Sequence, residues 1–210
     1  MHLGPPIRID ATKILSRREL AAVLDDLHRK APRSANTWLN LILVRLSCCC
    51  GLRVSEIAGL HINDIRVEPS RPHIRIRRGA SKGGRSRTVP LWWDSGTLAD
   101  LAKWKAERLL LGATPDTPFV ASLRPGRGSR LLSRHTLRRR FRTACKVLGQ
   151  DRLETLTIHH GRHTFISHAL CGHRTLGEVR DAAGHANVSI TSAYLHVAVE
   201  DDSVGELFRF

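Results

Sequence analysis

The sequence predicts an α+β fold class: a mainly α-helical chain with one small antiparallel β-sheet. Several segments that follow Ser, Thr or Asn caps carry apolar residues at three- and four-residue spacing, the period of an amphipathic helix. Three short segments between residues 64 and 91 alternate polar and apolar residues instead, the period of a strand. Hydrophobic residues make up 41% of the 210 residues, which is enough for a packed core.

The first helices are marked by their ends. Ser16 and Glu19 match the capping-box pattern ahead of an apolar stripe. The apolar segment WLNLILVRLSCCC predicts a buried helix, and Gly51 is placed to end it. The segment SEIAGL then predicts a further short helix.

The three alternating segments predict an antiparallel sheet, with strands at 64–67, 73–78 and 86–91. Lys82-Gly83-Gly84 predicts the turn between the last two strands. Helical spacing returns afterwards, interrupted by a loop rich in Pro and Gly at 112–130. The predicted helices of this second half lie at 95–111, at 133–148, at 159–171, between Thr175 and Gly184, and after Asn187.

The charge balance predicts a polyanionic partner. The chain has 34 Lys and Arg residues against 19 Asp and Glu residues, a formal net charge of +15. Such an excess destabilises a compact state by self-repulsion, so we expect nucleic acid first and an anionic membrane surface second. No apolar run reaches the length of a membrane span, and the N-terminus MHLGPPIRID lacks the pattern of a secretory signal.

Two arginine clusters are predicted to contact DNA phosphates. The helix at 133–148 contains no Asp or Glu to pair with its arginines, and the sheet region is similarly crowded with them. An ordinary solvated charged face is the alternative interpretation. The predicted DNA-contacting residues are Arg75, Arg77, Arg85, Arg87, Arg134, Arg138, Arg139 and Arg142.

The five cysteines predict a reducing compartment. They are odd in number and contain no Cys-x-x-Cys pair, so no disulfide framework is indicated. We interpret them as small buried apolar residues. Together with a nucleic-acid partner, this predicts a cytoplasmic, nucleoid-associated protein.

Four segments in a fixed order carry a family resemblance. They read GLRVSEIAGL, SKGGRSRTVPL, IHHGRHTF and AGHANVSITSAYLHV, and the last contains Tyr194, the one tyrosine of the chain. This ordered set, spanning residues 51 to 197, resembles the tyrosine recombinase (phage integrase) family. The resemblance implies the catalytic-domain fold of that family. It also implies a site-specific recombinase that cleaves and rejoins DNA through a 3′-phosphotyrosyl intermediate.

The resemblance assigns a role to each matching residue. Tyr194 is the nucleophile, and by resemblance Lys82 is the general acid for the leaving 5′ oxygen. Glu56 is expected to orient its neighbours. The implied catalytic residues are Arg53, Lys82, His159, Arg162, His185 and Tyr194. Two alternatives remain open: a type IB topoisomerase-like enzyme, and a non-catalytic DNA-binding regulator that retains the fold.

The chemistry of these residue types supports the assignment. Two guanidinium groups, Arg53 and Arg162, can hold the non-bridging oxygens of a phosphodiester and stabilise the charge of the transition state. A phenol has a reference pKa near 10, so it needs a base, and His159 is suited to that role. His185 is expected to bond the phosphate or support the tyrosine. The mechanism needs no cofactor and no metal.

A zinc site is the alternative for the histidine-rich segment, since His159 and His163 are four residues apart. A zinc-hydrolase helix would carry Glu where His160 stands, and no third ligand is evident, so no metal is predicted. His163 and His168 are assigned to packing or hydrogen bonding. Gly161 replaces a leucine common in the family, which predicts thinner packing at this point.

The predicted organisation is an N-terminal arm at 1–15, a catalytic domain at 16–198 and a C-terminal tail at 199–210. The resemblance implies double-stranded DNA as partner and a tetramer on it, with the tail exchanged between subunits or folded onto its own core. Family members usually carry a further N-terminal DNA-binding domain. An excised catalytic fragment and a naturally short member resembling the fimbrial-switch invertases both fit the sequence.

Overall fold

The computed structural model describes residues 9–68, 70–77, 86–123 and 130–195. Helices dominate these ranges, and one small sheet lies between α3 and α4, as predicted. The strands are β1 (Ile65–Arg66), β2 (His73–Ile76) and β3 (Arg87–Pro90). The helices are α1 (Arg17–Lys30), α2 (Ala35–Val44), α3 (Val54–Ala58), α4 (Ser95–Leu110), α5 (Arg134–Ala144), α6 (Gln150–Thr155), α7 (Ile158–Cys171), α8 (Leu176–Ala183) and α9 (Val188–Ser192).

The N-terminal helices form where their caps predict. The Ser16 hydroxyl accepts a bond from the Glu19 N–H, and the Glu19 carboxylate accepts one from the Ser16 N–H, so both groups of the capping box are satisfied. The buried helix α2 continues into a π-helical turn at Arg45–Cys49, which the sequence does not predict. This wider turn is buried and forms the surface on which α7 packs.

The sheet has the order β1-β2-β3 and is antiparallel throughout, as predicted. Ile65 pairs with Ile74, and Ile74 pairs with Val89, so these three side chains form a buried row on one face. The predicted turn at Lys82-Gly83-Gly84 lies outside the described residues.

The second half holds one helix that the sequence does not indicate. The helix α6 has only six residues, and it follows Gly149, which has no side chain to cap it. The predicted helix at 133–148 is correspondingly shorter, since α5 ends at Ala144 and a 3₁₀ turn follows at Lys146–Leu148.

Close approach between α7 and the π-helical turn explains the glycine at position 161. A Cβ atom there would lie 2.9 Å from the Ser47 Cβ and 3.0 Å from the Cys48 Sγ, so a larger side chain would force the two segments apart. The expectation of thinner packing at Gly161 is therefore wrong. The missing side chain brings the two backbones together.

Two apolar clusters organise the interior. The larger one is built on α1, α2, α4, α5 and the sheet. The smaller one surrounds Phe165, which stacks on Trp93 with ring centroids 6.0 Å apart, and Tyr194 belongs to it. Tyr194 is thus held by the packing of α7 and α8. In the described part of the chain, no helix is both long and apolar enough to cross a membrane.

Candidate active site

Three arginine side chains converge on the carboxyl end of α8. Its last carbonyl groups point out of the helix without intrahelical partners and carry partial negative charge, so guanidinium groups are favourable partners. The bonds run from Arg87 Nε to Ala182 O (2.9 Å), from Arg162 Nη2 to Ala183 O (2.6 Å) and from Arg53 Nη2 to Gly184 O (3.4 Å). These contacts bring together residues that are far apart in the sequence.

A buried carboxylate, Glu56, joins two of these arginines. It accepts two bonds from Arg87, at 2.7 and 2.9 Å, and one from Arg53 Nη1 at 3.0 Å. Burial alone would raise the pKa of Glu56, but the bonds and charges of Arg87 and Arg53 hold it below its ordinary value. Glu56 is therefore a carboxylate that fixes the Arg53 side chain, in line with the predicted orienting role.

The structure corrects the interpretation of Arg87. Its side chain is only 9% exposed and is bonded to Glu56 and to the end of α8. It therefore connects α3 to α8 inside the protein and is not an open phosphate contact. Arg75 and Arg77 lie on the surface, but Asp64 bonds both, so the sheet arginines do not lack an acidic partner as expected. Arg85 lies outside the described residues.

Arg162 lies at the centre of the site and is 3% exposed. It also donates to Gly51 O at 2.8 Å, at the end of the π-helical turn. Burial lowers the pKa of Arg162 to about 9, and the nearby charges of Arg53 and Arg87 act in the same direction. Three guanidinium groups around one carboxylate leave an excess of positive charge, which favours an anionic ligand such as a phosphodiester.

His185 follows directly after the end of α8. Gly184 has the left-handed φ of 69° that ends the helix, and a Cβ there would lie 2.8 Å from the Arg87 side chain. The His185 Nδ1 bonds the Thr191 hydroxyl at 2.8 Å, which fixes the ring. Burial, then the charges of Arg162 and its neighbours, lower the pKa of His185 to about 3, so this imidazole is neutral near neutral pH.

The tyrosine lies against the histidines of α7. Tyr194 is 4% exposed, and its ring lies 6.4 Å from that of His185. Its hydroxyl bonds the Nδ1 of His163 at 2.6 Å, and the ring of His159 stands edge-on to His163 at 4.8 Å. Burial raises the pKa of Tyr194 to about 12, an effect that the charge of Arg162 partly opposes.

The predicted catalytic set is thus largely assembled in one place. Arg53, Arg162, His185 and Tyr194 surround the end of α8, and His159 is exposed at the margin, in contact with His163. Lys82 lies outside the described residues. Sequence reasoning gave His163 no part in the site, although its spacing of four residues from His159 places both on one face of α7.

The arginines of α5 face two cavities. Arg138 and Arg142 line one of about 500 Å³ that also contains His159, and Arg139 lines another of about 980 Å³. Arg134, Arg138, Arg139 and Arg142 are exposed, and none of them forms an ion pair with a described residue. This side of the molecule offers positive charge beside the site.

The histidine-rich segment also helps to cap its own helix, α7. The His160 Nδ1 accepts a bond from the Thr157 N–H at 3.3 Å, so this side chain takes the place that an acidic residue holds in a capping box. Among the residues that the structure describes, no group of three or more His, Cys, Asp or Glu side chains is arranged to hold a metal ion.

Comparison with known proteins places these features in a family. Residues 13–201 match the model of the phage integrase family. The chain is 32% identical over 156 residues to tyrosine recombinase XerD of Proteus mirabilis, a match that covers 72% of this chain and 45% of that protein. It is 30% identical over 197 residues to tyrosine recombinase XerC of Corynebacterium glutamicum, covering 93% of this chain and 58% of that protein.

Solved structures support the same fold. The crystal structure of XerA recombinase superposes with a TM-score of 0.70 at 21% identity, over 100% of this chain and 68% of that one. XerH recombinase, in a post-cleavage complex with its palindromic difH substrate, superposes with a TM-score of 0.68 at 24% identity, over 91% of this chain and 51% of that one. The chain spans about half the length of the relatives it matches in sequence.

Proposed function

Because this chain belongs to the phage integrase family, we propose that it is the catalytic domain of a site-specific tyrosine recombinase. It cleaves and rejoins double-stranded DNA through a 3′-phosphotyrosyl intermediate. One observation carries the proposal: the only tyrosine of the chain lies with Arg53, Arg162 and His185 around the end of α8. A protein that only binds DNA has no need of a phenol held among arginines.

The arginines hold the reacting phosphate. Arg53 and Arg162 point toward the same helix end and bring two positive charges to the non-bridging oxygens. Their charge opposes the negative charge that builds up on the phosphorus oxygens during in-line displacement. Glu56 and Arg87 fix the frame in which the Arg53 guanidinium sits, so that little reorganisation is needed when DNA binds.

The bond changes follow from this placement. The Tyr194 oxygen attacks phosphorus, the bond from phosphorus to the 5′ oxygen breaks, and a phosphotyrosine ester forms in its place. The phenol proton passes to a neutral imidazole of α7, the role for which the sequence proposes His159. The leaving 5′ oxygen takes a proton from Lys82, a role that rests on the family resemblance. Religation reverses these steps, so neither a cofactor nor a metal takes part.

The partners follow from the same chemistry. Double-stranded DNA is the substrate, and strand exchange requires more than one active site, so we propose assembly of several copies on DNA, a tetramer in the complete reaction. The tail at 199–210 lies outside the described residues, and its exchange between subunits stays a prediction. We place the protein in the cytoplasm, associated with the nucleoid.

A covalent trap tests the proposal. The full chain is incubated, with EDTA present, with a pool of nicked duplexes of randomised sequence, from which cleavage releases a short strand that diffuses away. DNA that stays attached to protein after denaturation is sequenced. We expect an enriched site and an adduct that survives chelation. Binding without an adduct would favour a DNA-binding regulator. In a parallel assay on supercoiled plasmid, relaxation without strand exchange would favour a topoisomerase-like enzyme.

We expect DNA affinity to fall steeply with salt, and α5 to account for part of the slope. Each neutralised phosphate contributes about −0.9 to the slope of log K against log salt on duplex DNA. The double variant Arg138→Gln, Arg142→Gln should therefore bind more weakly and lose about 2 from the magnitude of that slope. Fluorescence anisotropy over a range of NaCl concentrations measures both quantities.

The matched control is Arg29→Gln, because Arg29 is exposed on α1 and already paired with Asp26. It removes a surface arginine that does not line the cavity beside His159 and should leave the slope nearly unchanged. A loss in the control of about half that in the α5 variant, as expected when one charge is removed instead of two, would show a response to net charge alone and would contradict the proposed α5 contacts.

A further inference from the structure

We propose that His163 is a catalytic residue: it positions the Tyr194 hydroxyl and takes its proton when the tyrosine attacks phosphorus. This inference rests on the proposed function and makes it more specific, because the chemistry read from the sequence points to His159 as the base. The observation behind it is the 2.6 Å bond between the His163 Nδ1 and the Tyr194 Oη, two side chains 31 residues apart.

The geometry suits proton transfer. A nucleophile and its base must lie within hydrogen-bond reach, and this pair already does so before any DNA is bound. The two ring centroids are 5.6 Å apart and tilted by 31°, so the contact runs through the polar edge of the imidazole. His163 is half-buried and Tyr194 is buried, which shields the bond from competition by water.

The direction of the bond follows from the charge states. Burial raises the pKa of Tyr194 to about 12, so the phenol keeps its proton and donates it. Burial lowers the pKa of His163 to about 4, and the charges of His159, His160 and Arg162 add to this effect. His163 is therefore neutral, and its Nδ1 lacks a proton and accepts the bond. The resting site holds an O–H···N pair in which transfer is unfavourable.

A bound phosphodiester changes that balance. The charged and titratable neighbours of His163 lie on α7, on the 3₁₀ turn at Ala11–Lys13 and after the end of α8. All of them are His, Lys or Arg, so none carries negative charge. The buried Tyr194 is neutral in this state. These neighbours are His159, His160, Arg162, Lys13 and His185. The phosphate brings negative charge to the arginines, so it opposes the repulsion that keeps a proton off His163. Tyrosine activation is thereby coupled to substrate binding.

His159 supports the pair in this arrangement. Its ring stands edge-on to His163 at 4.8 Å, one helical turn earlier, and it is exposed toward the cavity lined by Arg138 and Arg142. From there His159 can contact the phosphate or pass the proton on to water. The two histidines divide between them the tasks that the sequence assigned to one.

Two substitutions separate proton acceptance from hydrogen bonding. His163→Asn keeps an acceptor near the place of Nδ1 but cannot hold a proton at neutral pH. His163→Phe keeps the ring shape and loses the acceptor. The control is His135→Asn, an exposed histidine on α5.

The first measurement needs no DNA. Tyr194 is the only tyrosine, so the ultraviolet absorbance of phenolate during a pH titration reports this residue alone. An acceptor stabilises the protonated phenol, so His163→Phe should lower the pKa of Tyr194 while His163→Asn and His135→Asn leave it near the wild-type value. An unchanged titration in His163→Phe would overturn the proposed contact.

The second measurement is the rate of adduct formation on the trapped site. His163→Asn should slow it by about a hundredfold, the usual size of a general-base effect, and His135→Asn should not. A 5′-bridging sulfur leaves without a proton, so it should restore cleavage in Lys82→Ala and leave His163→Asn slow. A wild-type rate in His163→Asn would overturn proton acceptance by His163.

The pH profile gives a third readout. His163 must be neutral to accept the proton, so the wild-type rate is lost as the pH falls through its pKa, about 4 in the free protein and higher once phosphate is bound. This loss of rate at low pH should be absent in His163→Asn. A wild-type chain that forms no adduct would count against the proposed function, while the titration would still decide the contact between His163 and Tyr194.

Discussion

Replacing Tyr194 with phenylalanine should abolish the covalent adduct completely and leave DNA binding close to that of the wild type. The described arginines of the site and of α5 do not depend on the phenol oxygen, so the proposed phosphate contacts should remain. The chain has no other tyrosine that could attack in its place. A denaturing gel with the nicked substrate measures the adduct, and an electrophoretic shift measures binding.

The substitution should also leave the fold intact. It removes one hydrogen bond, to His163, at a typical net cost of about 1 kcal/mol, and the ring keeps its place in the cluster around Phe165. Urea unfolding of the variant checks this before any kinetics are compared. An adduct that persists in Tyr194→Phe would exclude this residue as the nucleophile and would overturn the proposed mechanism with it.

Local signals in the sequence predict those parts of the fold that depend on local chemistry. The capping boxes of α1 and α8 and the left-handed Gly184 need only neighbouring residues, so each element lies where its cap or stop indicates. The alternation around Ile74 and Val89 likewise predicts the paired strands, because their apolar face must be buried. The family match confirms the resemblance that the four short motifs carry, while the catalytic roles of their residues stay a prediction.

What the sequence does not predict depends on contacts between distant segments. Arg87 looks like any other arginine of a basic strand until the fold places Glu56 and the end of α8 beside it. His163 is likewise one of several clustered histidines until α9 brings Tyr194 within 2.6 Å. The role of Gly161 depends on the π-helical turn, whose extra width has no signature in composition or spacing.

Replacing Glu56 with alanine should cause the largest loss of stability of the substitutions considered. Breaking a buried ion pair by removing one partner costs about 3–5 kcal/mol, because the remaining charge is left without compensation. Here the charges left behind belong to Arg53 and Arg87, and the buried Arg162 adds to the repulsion. Urea unfolding at neutral pH measures the change in the free energy of unfolding.

A control variant and a double-mutant cycle make this prediction specific. Asp181→Ala removes an acid from an exposed pair with Arg180 and should change stability little. Adding Arg87→Met to Glu56→Ala removes one uncompensated charge, so the double variant should lose less stability than the two single losses added together.

Inorganic phosphate should restore part of the stability of Glu56→Ala, because an anion among the guanidinium groups replaces the missing carboxylate. Glu56→Ala and Asp181→Ala variants of equal stability would mean that the carboxylate does not hold the arginine frame, and Arg53 would then need another source of its orientation.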